Sequence, residues 1–240
     1  MSTEKQEEWL ASPLGQYLQE QEQALFDRVV HDIFGFHAMQ FGMLGMPLLR
    51  HCRIPFQFNA DVDHGVIQCA SHQLPIQADS LDLLLLPHAL DFSEHPHQTL
   101  REAARVLVAE GHIVITGFNP VSTWGLRRLA NDTDDYPWDA NFLSLMRVKD
   151  WLTLLDFEII ELKMACHMPP LRNSSGQGRL SAIERLGSRF WPLMGGVYFV
   201  LAKKRVIGMR LIKPAWNKSK LKAGLLPTPT QRTDIQKKHE

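Results

Sequence analysis

The chain has 240 residues, of which 45% are hydrophobic and 22% are charged, and its formal net charge is zero. This length and balance fit one large globular domain with or without extensions, and they exclude a chain that is disordered throughout. No apolar run approaches the roughly 20 residues that a membrane-spanning helix needs, and the polar start MSTEKQEEW lacks a secretory signal. We therefore expect no membrane span and a cytoplasmic location.

Charge is distributed unevenly along the chain. Residues 203–240 hold eleven Lys or Arg against two acidic residues, so the rest of the chain carries the opposite net charge. A basic terminus can contact RNA or anionic lipid, but charge runs at termini are usually only solvated. The acidic body argues against a nucleic-acid enzyme. A nucleic-acid partner bound through the tail is allowed but not favoured.

The cysteines and histidines show no ligand pattern. Cys52, Cys69 and Cys166 are widely spaced and form no CxxC pair, so we interpret them as free, buried thiols. His95 and His97 bracket a proline, with no carboxylate or cysteine at ligand spacing. No metal site is predicted.

The first predicted element is an amphipathic helix over residues 13–34. Apolar residues recur there at spacings of three, four and seven, namely at Leu14, Tyr17, Leu18, Leu25, Val29 and Ile33. This stripe predicts that the helix lies across a larger body. Gly35 ends the helix, and residues 37–44 follow as a first strand whose end is marked by Gly42 and Gly45.

Two short strands are predicted next, at 56–60 and 66–69, after a stretch (46–52) with room for about two helical turns. Only five residues, 61–65, separate the two strands. A parallel crossover needs about a dozen residues or more, whereas an antiparallel link needs as few as about two. We therefore expect these two strands to form a hairpin.

From residue 74 onward, strands and helices alternate. The predicted order is a turn (74–80), a strand (81–90), a helix (96–108), a strand (112–118), a short helix (119–131), a helix (142–157) and two strands (158–165 and 195–205). The leucine run from Leu83 to Leu86 is typical of a strand buried on both faces, and Pro96 suits the first turn of a helix. Strand, helix and strand over 81–118 predict a right-handed βαβ unit in a parallel sheet.

Loops and a tail complete the predicted organisation. Residues 131–141 are rich in Asn and Asp, and residues 167–190 contain two prolines and NSSGQG, which predicts a mobile surface loop. The Pro, Lys and Thr-rich end is expected to be disordered. We predict an N-terminal amphipathic helix (1–35), a domain over 36–207 and a basic tail (208–240).

Several motifs fall in a fixed order between residues 74 and 118. They are Leu74-Pro75, Asp82 at the start of a strand, His88 with Leu90, Arg105 with Leu107, and Glu110-Gly111. In this order the segment resembles the second half of class I S-adenosylmethionine-dependent methyltransferases of the ubiquinone-biosynthesis-like group. Residues 149–161 and 195–205 resemble the last helix and final hairpin of that family. The segment GFNPVSTWGLRR, with the basic tail, resembles a small proteobacterial branch of unassigned substrate.

The resemblance implies a fold and a cofactor. The fold is a Rossmann-like α/β sandwich with a mostly parallel sheet, an antiparallel last strand and, in this chain, an abbreviated N-terminal half. The cofactor is S-adenosylmethionine, held at the carboxyl ends of the strands. The residues implied to line it are Gly42, Gly45, Asp61, Ser71, His88 and Ala89.

The match to the family's cofactor motifs is incomplete. Gly42 and Gly45 stand where the family has acid-x-G-x-G-x-G, and the same glycines are explained equally well as turn residues. The acid that caps the ribose hydroxyls falls on Asp61 or Asp63. The acid that reads the adenine amino group falls on Ala70, whose methyl group cannot accept a hydrogen bond.

His88 has two interpretations. It follows a buried strand with Asp91 three residues further on, so it could titrate near neutrality at the lip of the pocket. The other interpretation, which we favour, is a structural histidine with satisfied hydrogen bonds.

The helix that follows residue 118 also leaves alternatives open. Asn119-Pro120 resembles the N-P-P-Y box of amino-directed methyltransferases, but that box follows the fourth strand and this pair follows the fifth, so we interpret it as a helix start. Trp124, Arg127 and Arg128 share one helical face, which either grips an anionic substrate or is simply solvated.

Two functions follow from these patterns. The first is an S-adenosylmethionine-dependent methyltransferase that acts on a small or anionic substrate, with no catalytic side chain identified. The second is a pseudo-methyltransferase, a scaffold or interaction protein with a degenerate cofactor pocket. Side chains of Met43, Met46 or Leu48 filling the space beyond the first strand would favour the scaffold, and an open cleft beside His88 would favour the enzyme. A dinucleotide oxidoreductase is disfavoured, because no G-x-G-x-x-G lies between a strand and a helix.

Overall fold

The computed structural model describes residues 3–130, 135–170 and 194–205. The helices are α1 (Thr3–Leu10), α2 (Pro13–Val30), α3 (Pro96–Val106), α4 (Thr123–Ala130) and α5 (Leu145–Leu154). The strands are β1 (His37–Phe41), β2 (Phe56–Asp61), β3 (Ile67–Gln68), β4 (Leu81–Pro87), β5 (Leu107–Phe118), β6 (Phe157–Ala165) and β7 (Val197–Lys204). All of them belong to the first of the two units into which the chain divides, Met1–Ile207 and Gly208–Glu240.

The strands form one seven-stranded sheet in the order β3-β2-β1-β4-β5-β7-β6. The first five strands in that order are parallel, and β7 runs antiparallel to both of its neighbours. The predicted Rossmann-like sandwich, mostly parallel with an antiparallel last strand, is therefore confirmed. The order reverses between β1 and β4, so a crevice lies at the carboxyl ends of these two strands.

The βαβ unit predicted over 81–118 is present. β4 pairs in parallel with β5, with Leu84 opposite Ile113 and Leu86 opposite Ile115. α3 begins at Pro96 and packs its buried face, which includes Leu100, on the sheet. A leucine run that is buried on both faces can occupy only the interior of a sheet covered by two layers.

The expected hairpin between the second and third strands is wrong. β2 and β3 are parallel, with Ala60 opposite Ile67 and Asp61 opposite Gln68. A crossover must carry the chain back along the full length of a strand, but β3 is only two residues long, and so the return is about 7 Å. A short loop that includes Gly65 at φ +108° is long enough for that distance.

The N-terminal region also differs from the prediction in its details. Two helices replace the single one, because the chain breaks at Ser12, whose hydroxyl accepts a hydrogen bond from the Gly15 amide and caps α2. The expected helical turns at 46–52 are a series of turns without a helix. The loop predicted for 167–190 lies outside the described residues from residue 171 on, and so does the whole tail predicted for 208–240.

The core divides into two layers because successive strand residues point to opposite faces. One face packs against α3 and α5 and includes Met39, Leu84, Leu86, Ile113, Ile115, Val148 and Leu152. The other face packs against α2 and includes Ala38, Leu83, Leu85, Val114, Phe26 and Val30. The predicted amphipathic helix therefore lies across the sheet, as its apolar stripe required.

Two general properties concern the described residues alone. None of the helices among them is long and apolar enough to span a membrane. All three cysteines lie in the described ranges; Cys166 is buried, whereas Cys52 and Cys69 are half-buried. The cytoplasmic location stays a prediction.

Candidate active site

A cavity of about 90 Å³ lies at the carboxyl edge of the sheet. Its wall is formed by Gln6, Phe41, Gly42, Met43, Asp61, Val62, Ser71, Pro87, His88, Ala89, Phe92 and Ser93. Five of the six residues predicted to line a cofactor therefore meet here, although they follow four different strands. Gly45 is exposed and does not line this cavity.

The side chain of Gln40 holds the turn after β1 in place through hydrogen bonds. Its side-chain amide donates to the carbonyls of Gly42, Met43 and Met46, each at 3.0 Å, and its carbonyl accepts from the Leu48 amide at 3.3 Å. Gly42 has φ +80°, in the left-handed region that glycine enters without strain. A buried glutamine can both donate to and accept from this turn, so it fixes the loop that borders the cavity.

Asp61 ends β2 and lines the same cavity. Its Oδ1 accepts from the Val62 amide at 2.6 Å. Burial raises the pKa of Asp61, and the Val62 hydrogen bond offsets part of that rise. Asp63, the alternative ribose-capping acid, is exposed and does not line the cavity.

Three hydroxyl groups form a buried cluster at the β3 end of the cavity. The Ser71 hydroxyl lies 3.3 Å from that of Ser93 and 2.9 Å from that of Thr99, and the latter two are 3.0 Å apart. Ser71 and Ser93 line the cavity and Thr99 lies behind them.

His88 is held between two buried carboxylates. Its Nε2 is 2.8 Å from Glu22 Oε1 on α2, and its Nδ1 is 3.0 Å from Asp91 Oδ2. Burial alone would lower the pKa of His88, but the negative charge of Glu22 and the bonds to both carboxylates outweigh it and raise the pKa to about 9. The imidazole is therefore charged at neutral pH, which disfavours the alternative in which it titrates near neutrality.

This arrangement supports the structural interpretation of His88. Both ring nitrogens are engaged, the side chain is 1% exposed, and the backbone has φ +51°. Asp91 Oδ2 also accepts from the Phe118 amide at 2.9 Å, which ties the loop after β4 to the end of β5. Burial raises the pKa of Asp91, and the bond from His88 offsets part of the rise.

Two of the carboxylate oxygens around His88 are buried without a partner. Within the described part of the chain, neither Glu22 Oε2 nor Asp91 Oδ1 has a hydrogen-bond partner. Two carboxylates face one imidazolium, so the cluster is anionic when all three groups are ionised. A buried net negative charge beside the cavity favours a positively charged ligand over a negatively charged one.

The helix α1 forms the cover of the cavity. Gln6 lines the cavity and its amide is bonded to the sulfur of Met43. Trp9 packs edge-on against Tyr136 with ring centroids 5.3 Å apart, and Tyr136 stacks on Phe92 at 5.0 Å. α1, the loop after β4 and the loop before α5 thus each bring an aromatic ring to the carboxyl edge of the sheet.

The arginines of α4 are engaged with aromatic rings. Arg127 lies over the Trp138 ring at 4.8 Å and Arg128 over the Phe142 ring at 5.2 Å, while Trp124 is fully buried. Their guanidinium groups also donate to backbone carbonyls of Pro170 and Trp138. This face is neither simply solvated nor arranged as an open anion clamp.

Asn119 acts as a local cap. Its Oδ1 accepts from the Val121 amide at 3.0 Å and its amide donates to the Gly195 carbonyl at 3.0 Å. α4 itself begins at Thr123, where the Ser122 hydroxyl accepts from the Gly125 amide at 3.2 Å, so the helix start predicted at Asn119-Pro120 is too early by about one turn.

Sequence reasoning missed Glu22, Gln40 and Gln6. A signal existed for Glu22, because it lies four residues after Leu18 and four before Phe26 on the apolar stripe of α2, and a buried acid usually has a partner. Gln40 lies in a predicted strand, where a polar residue is not unusual, so nothing marked it. Gln6 was missed because the helix that carries it, α1, was not predicted. Across the three described ranges, no group of three or more His, Cys, Asp or Glu side chains is arranged to hold a metal ion.

Comparisons with known proteins agree with this fold. Residues 52–115 match the family model described as a methyltransferase domain. The uncharacterized protein YafS of Escherichia coli (strain K12) is 32% identical over 196 residues, which cover 79% of this chain and 78% of that protein.

Two solved structures have the same fold at low sequence identity. One is an S-adenosylmethionine-dependent methyltransferase of Thermotoga maritima, titled a possible histamine N-methyltransferase, with a TM-score of 0.62, 18% identity, and coverage of 85% of this chain and 96% of that one. The other is an S-adenosylmethionine-dependent methyltransferase of Archaeoglobus fulgidus, with a TM-score of 0.54, 16% identity, and coverage of 76% and 93%.

Proposed function

Because the chain belongs to the class I S-adenosylmethionine-dependent methyltransferase superfamily, we propose that it binds S-adenosylmethionine in the cavity beside Gly42 and methylates a small molecule. The observation that carries this proposal is the convergence of Gly42, Asp61, Ser71 and His88 in one cavity. They come from the ends of four strands, and they meet where the strand order reverses, which is where ligands bind in sheets of this kind.

The side chains present suit this cofactor. A Cβ atom built on Gly42 would find its nearest neighbour, the Pro87 carbonyl oxygen, at 3.9 Å, so the backbone is open to close approach by a ligand. The Asp61 carboxylate can accept from the two ribose hydroxyls, and the neutral hydroxyls of Ser71 and Ser93 can contact the base. The anionic cluster around His88 suits a ligand that carries a sulfonium charge.

The cavity is too small for the cofactor unless part of its wall moves. Ligand pockets usually measure about 300–1,000 Å³, several times the 90 Å³ found here. Gln6 and Met43 line the cavity, and Met43 also belongs, with Met46 and Leu48, to the core on the α2 side of the sheet. We therefore expect α1 to move away from the cavity when the cofactor enters.

The protein has little covalent chemistry to perform in this proposal. When bound, the cofactor supplies a methyl group that is already activated by its sulfonium sulfur, so the chain needs only to align the acceptor and exclude water. The aromatic cover formed by Trp9, Tyr136 and Phe92 excludes water. His88 holds the loop after β4 in place and has no ring nitrogen left to act as a general base.

The acceptor is proposed to be small because the cavity is enclosed by α1 and by the aromatic loop. An anionic acceptor, the other part of the original expectation, would need to be held by Arg127 or Arg128. Those groups face Trp138 and Phe142, and the cluster around His88 is negative when its two carboxylates and the imidazole are ionised. A neutral or positively charged acceptor is therefore the better match.

Calorimetric titration with S-adenosylmethionine and S-adenosylhomocysteine tests the proposal. We expect saturable binding of both, and roughly tenfold weaker binding by Asp61→Asn, since the amide is a poorer acceptor for two hydroxyls. Asp63→Asn is the matched control and should bind as the wild type does. No heat and no thermal shift at millimolar ligand would reject the enzyme.

A scaffold without cofactor is the second candidate, and the small closed cavity is the observation that favours it. The two candidates differ in what accompanies the protein through purification. Mass spectrometry of the denatured protein should release S-adenosylmethionine or S-adenosylhomocysteine from the enzyme and neither from the scaffold.

A further inference from the structure

We infer that the amino edge of the sheet binds a second copy of this chain through three exposed phenylalanines. Phe34 and Phe36 lie just before β1 and Phe56 begins β2, and we call these three residues the aromatic patch. The cavity lies at the opposite, carboxyl edge. The inference therefore goes beyond the proposed function and does not depend on any ligand.

The rings of the aromatic patch are largely exposed. The exposed fractions of the three phenylalanines lie between 64% and 71%. An aromatic side chain has roughly 150–250 Å² of surface to bury, so three rings at this exposure present roughly 300–500 Å² of apolar area. Exposed apolar patches of this size are often interaction sites.

The backbone that carries the aromatic patch is fixed by hydrogen bonds. Asp82 Oδ2, on β4, accepts from the Phe36 amide at 2.8 Å and from the His37 amide at 3.0 Å. The Phe36 carbonyl in turn accepts from the Phe56 amide at 3.2 Å, which joins the two parts of the patch. A Cβ atom on Gly35 would lie 2.3 Å from the Asp82 Cβ, so this close approach requires glycine. A surface that is ordered before binding loses less conformational entropy on association.

Charges of both signs lie beside the aromatic patch. The Arg53 guanidinium lies 5.7 Å from the centroid of the Phe34 ring and 2.6 Å from His31 Nε2. Nδ1 of the same imidazole is 3.2 Å from Asp32 Oδ1, whose carboxylate is well exposed. Within the described ranges, Arg53 forms no ion pair with a carboxylate. The surface thus offers a cation and an anion on either side of one imidazole.

This arrangement of charges is complementary to itself. In a twofold dimer the same surface meets itself, so Arg53 opposite the partner's Asp32 implies Asp32 opposite the partner's Arg53. Two reciprocal ion pairs then flank the phenylalanines. An anionic lipid surface or a nucleic acid would attract Arg53 but would be repelled by Asp32. A second copy of the chain is therefore the better match.

The size of the surface suits a reversible dimer. Two aromatic patches bury roughly 600–1,000 Å² when they meet, and the polar residues around them add to this area. Specific interfaces begin at about 1,200 Å² in total. We expect a Kd on the order of 1 μM, which leaves both cavities open at the far edges of the dimer.

Sedimentation velocity of the full-length protein, from about tenfold below to about tenfold above that Kd, tests the inference. The wild type should pass from monomer to dimer over this range. Phe36→Ser should weaken dimerisation by roughly tenfold or more, because each dimer loses two buried aromatic anchors. Leu129→Ser is the matched control, since it removes an exposed apolar side chain on α4, away from the amino edge, and it should leave the Kd unchanged.

A charge exchange tests the twofold pairing. Arg53→Glu places two acids opposite each other and Asp32→Arg places two bases, so each variant alone should dimerise roughly fivefold more weakly. An equimolar mixture of the two variants should dimerise about as well as the wild type, because each introduced charge then faces the opposite sign on the other variant. Thermal melts of every variant separate a weaker interface from a weaker fold.

A wild type that stays monomeric throughout the range would overturn the inference. Flotation of that monomer with vesicles of phosphatidylcholine and phosphatidylglycerol would instead assign the aromatic patch to lipid. A dimer that Phe36→Ser leaves unchanged would show that the copies meet through another surface. A mixture that dimerises no better than its two components would overturn the reciprocal pairing of Arg53 with Asp32.

Discussion

Glu22 Oε1 lies 2.8 Å from His88 Nε2, although 66 residues separate the two along the chain. Both side chains are almost fully buried, so this ion pair bonds the N-terminal helix α2 to the loop after β4 at the wall of the cavity. Asp91 completes the arrangement from the other side of the ring. A helix that sequence alone placed across the sheet is thereby also bonded to the candidate active site.

The pair should make stability depend on pH. The pKa of His88 in the folded protein is about 9, above its ordinary value of 6.5, so its contribution is fully present below pH 6.5 and is lost as the pH rises through 9. The loss amounts to about 3 kcal/mol at most. Urea unfolding between pH 6 and pH 10 measures it.

The matched variants for this pH dependence are His88→Gln and His31→Gln. His88→Gln should remove the pH dependence in that window, whereas His31→Gln, at a half-exposed histidine on the surface, should keep it. Equal pH profiles for the wild type and His88→Gln would show that other groups are responsible.

Replacing Glu22 by glutamine should weaken the same cluster at any pH. The charge of Glu22 is what most strongly raises the pKa of His88, so Glu22→Gln should lower that pKa, as followed by NMR titration of the ring. Loss of one partner of a buried pair should cost roughly 3 kcal/mol of unfolding free energy. Glu20→Gln, on the exposed face of the same helix, should change neither quantity.

Gln40 provides a test of the turn after β1. The family pattern has an acid two residues before the first glycine, so Gln40→Glu would make this chain more like the family. We nevertheless expect a loss of roughly 2–4 kcal/mol, because a carboxylate would face the carbonyls of Gly42, Met43 and Met46, to which the amide now donates. Gln16→Glu on the surface is the control. A more stable Gln40→Glu protein would contradict the hydrogen-bond assignment.

The two glycines of the turn should respond differently to alanine. Gly42→Ala should cost about 1–2 kcal/mol, since φ +80° is unfavourable for a residue with a Cβ, and should weaken binding of S-adenosylhomocysteine. Gly45→Ala should be almost neutral, because its Cβ would meet only Leu10 at 3.9 Å. Thermal melts and calorimetry on both variants measure this contrast. Equal effects would mean that both glycines contact the ligand.

Much of the candidate site could be predicted because parallel strands end at one edge. Asp61, Ser71 and His88 each follow a predicted strand, so they share that edge whatever their side-chain contacts are. Gly45 was included on the same argument, but the turn directs it outward. The position of a residue just after a strand determines which edge of the sheet it occupies. Whether it faces the cavity or the solvent depends on the local backbone geometry of the turn.

Other features depended on contacts that no local pattern contains. The direction of β3 followed from its length of two residues, which shortens the return path enough for a loop of only a few residues. The pKa of His88 depended on Glu22, which lies far away in sequence. No local pattern around Glu22 identifies His88 as its partner. The cover formed by α1 and the aromatic rings reduced the cavity to its present size.

The sequence by itself determined the layered parallel sheet. The apolar runs of β4 and β5 are typical of strands buried on both faces, and the apolar stripe of α3 marks the helix face that packs on them. Only the tertiary structure decided which charges are paired, how closed the cavity is and which hydroxyls share protons. These properties depend on distances of about 3 Å between residues distant in sequence, and periodicity carries no information at that scale.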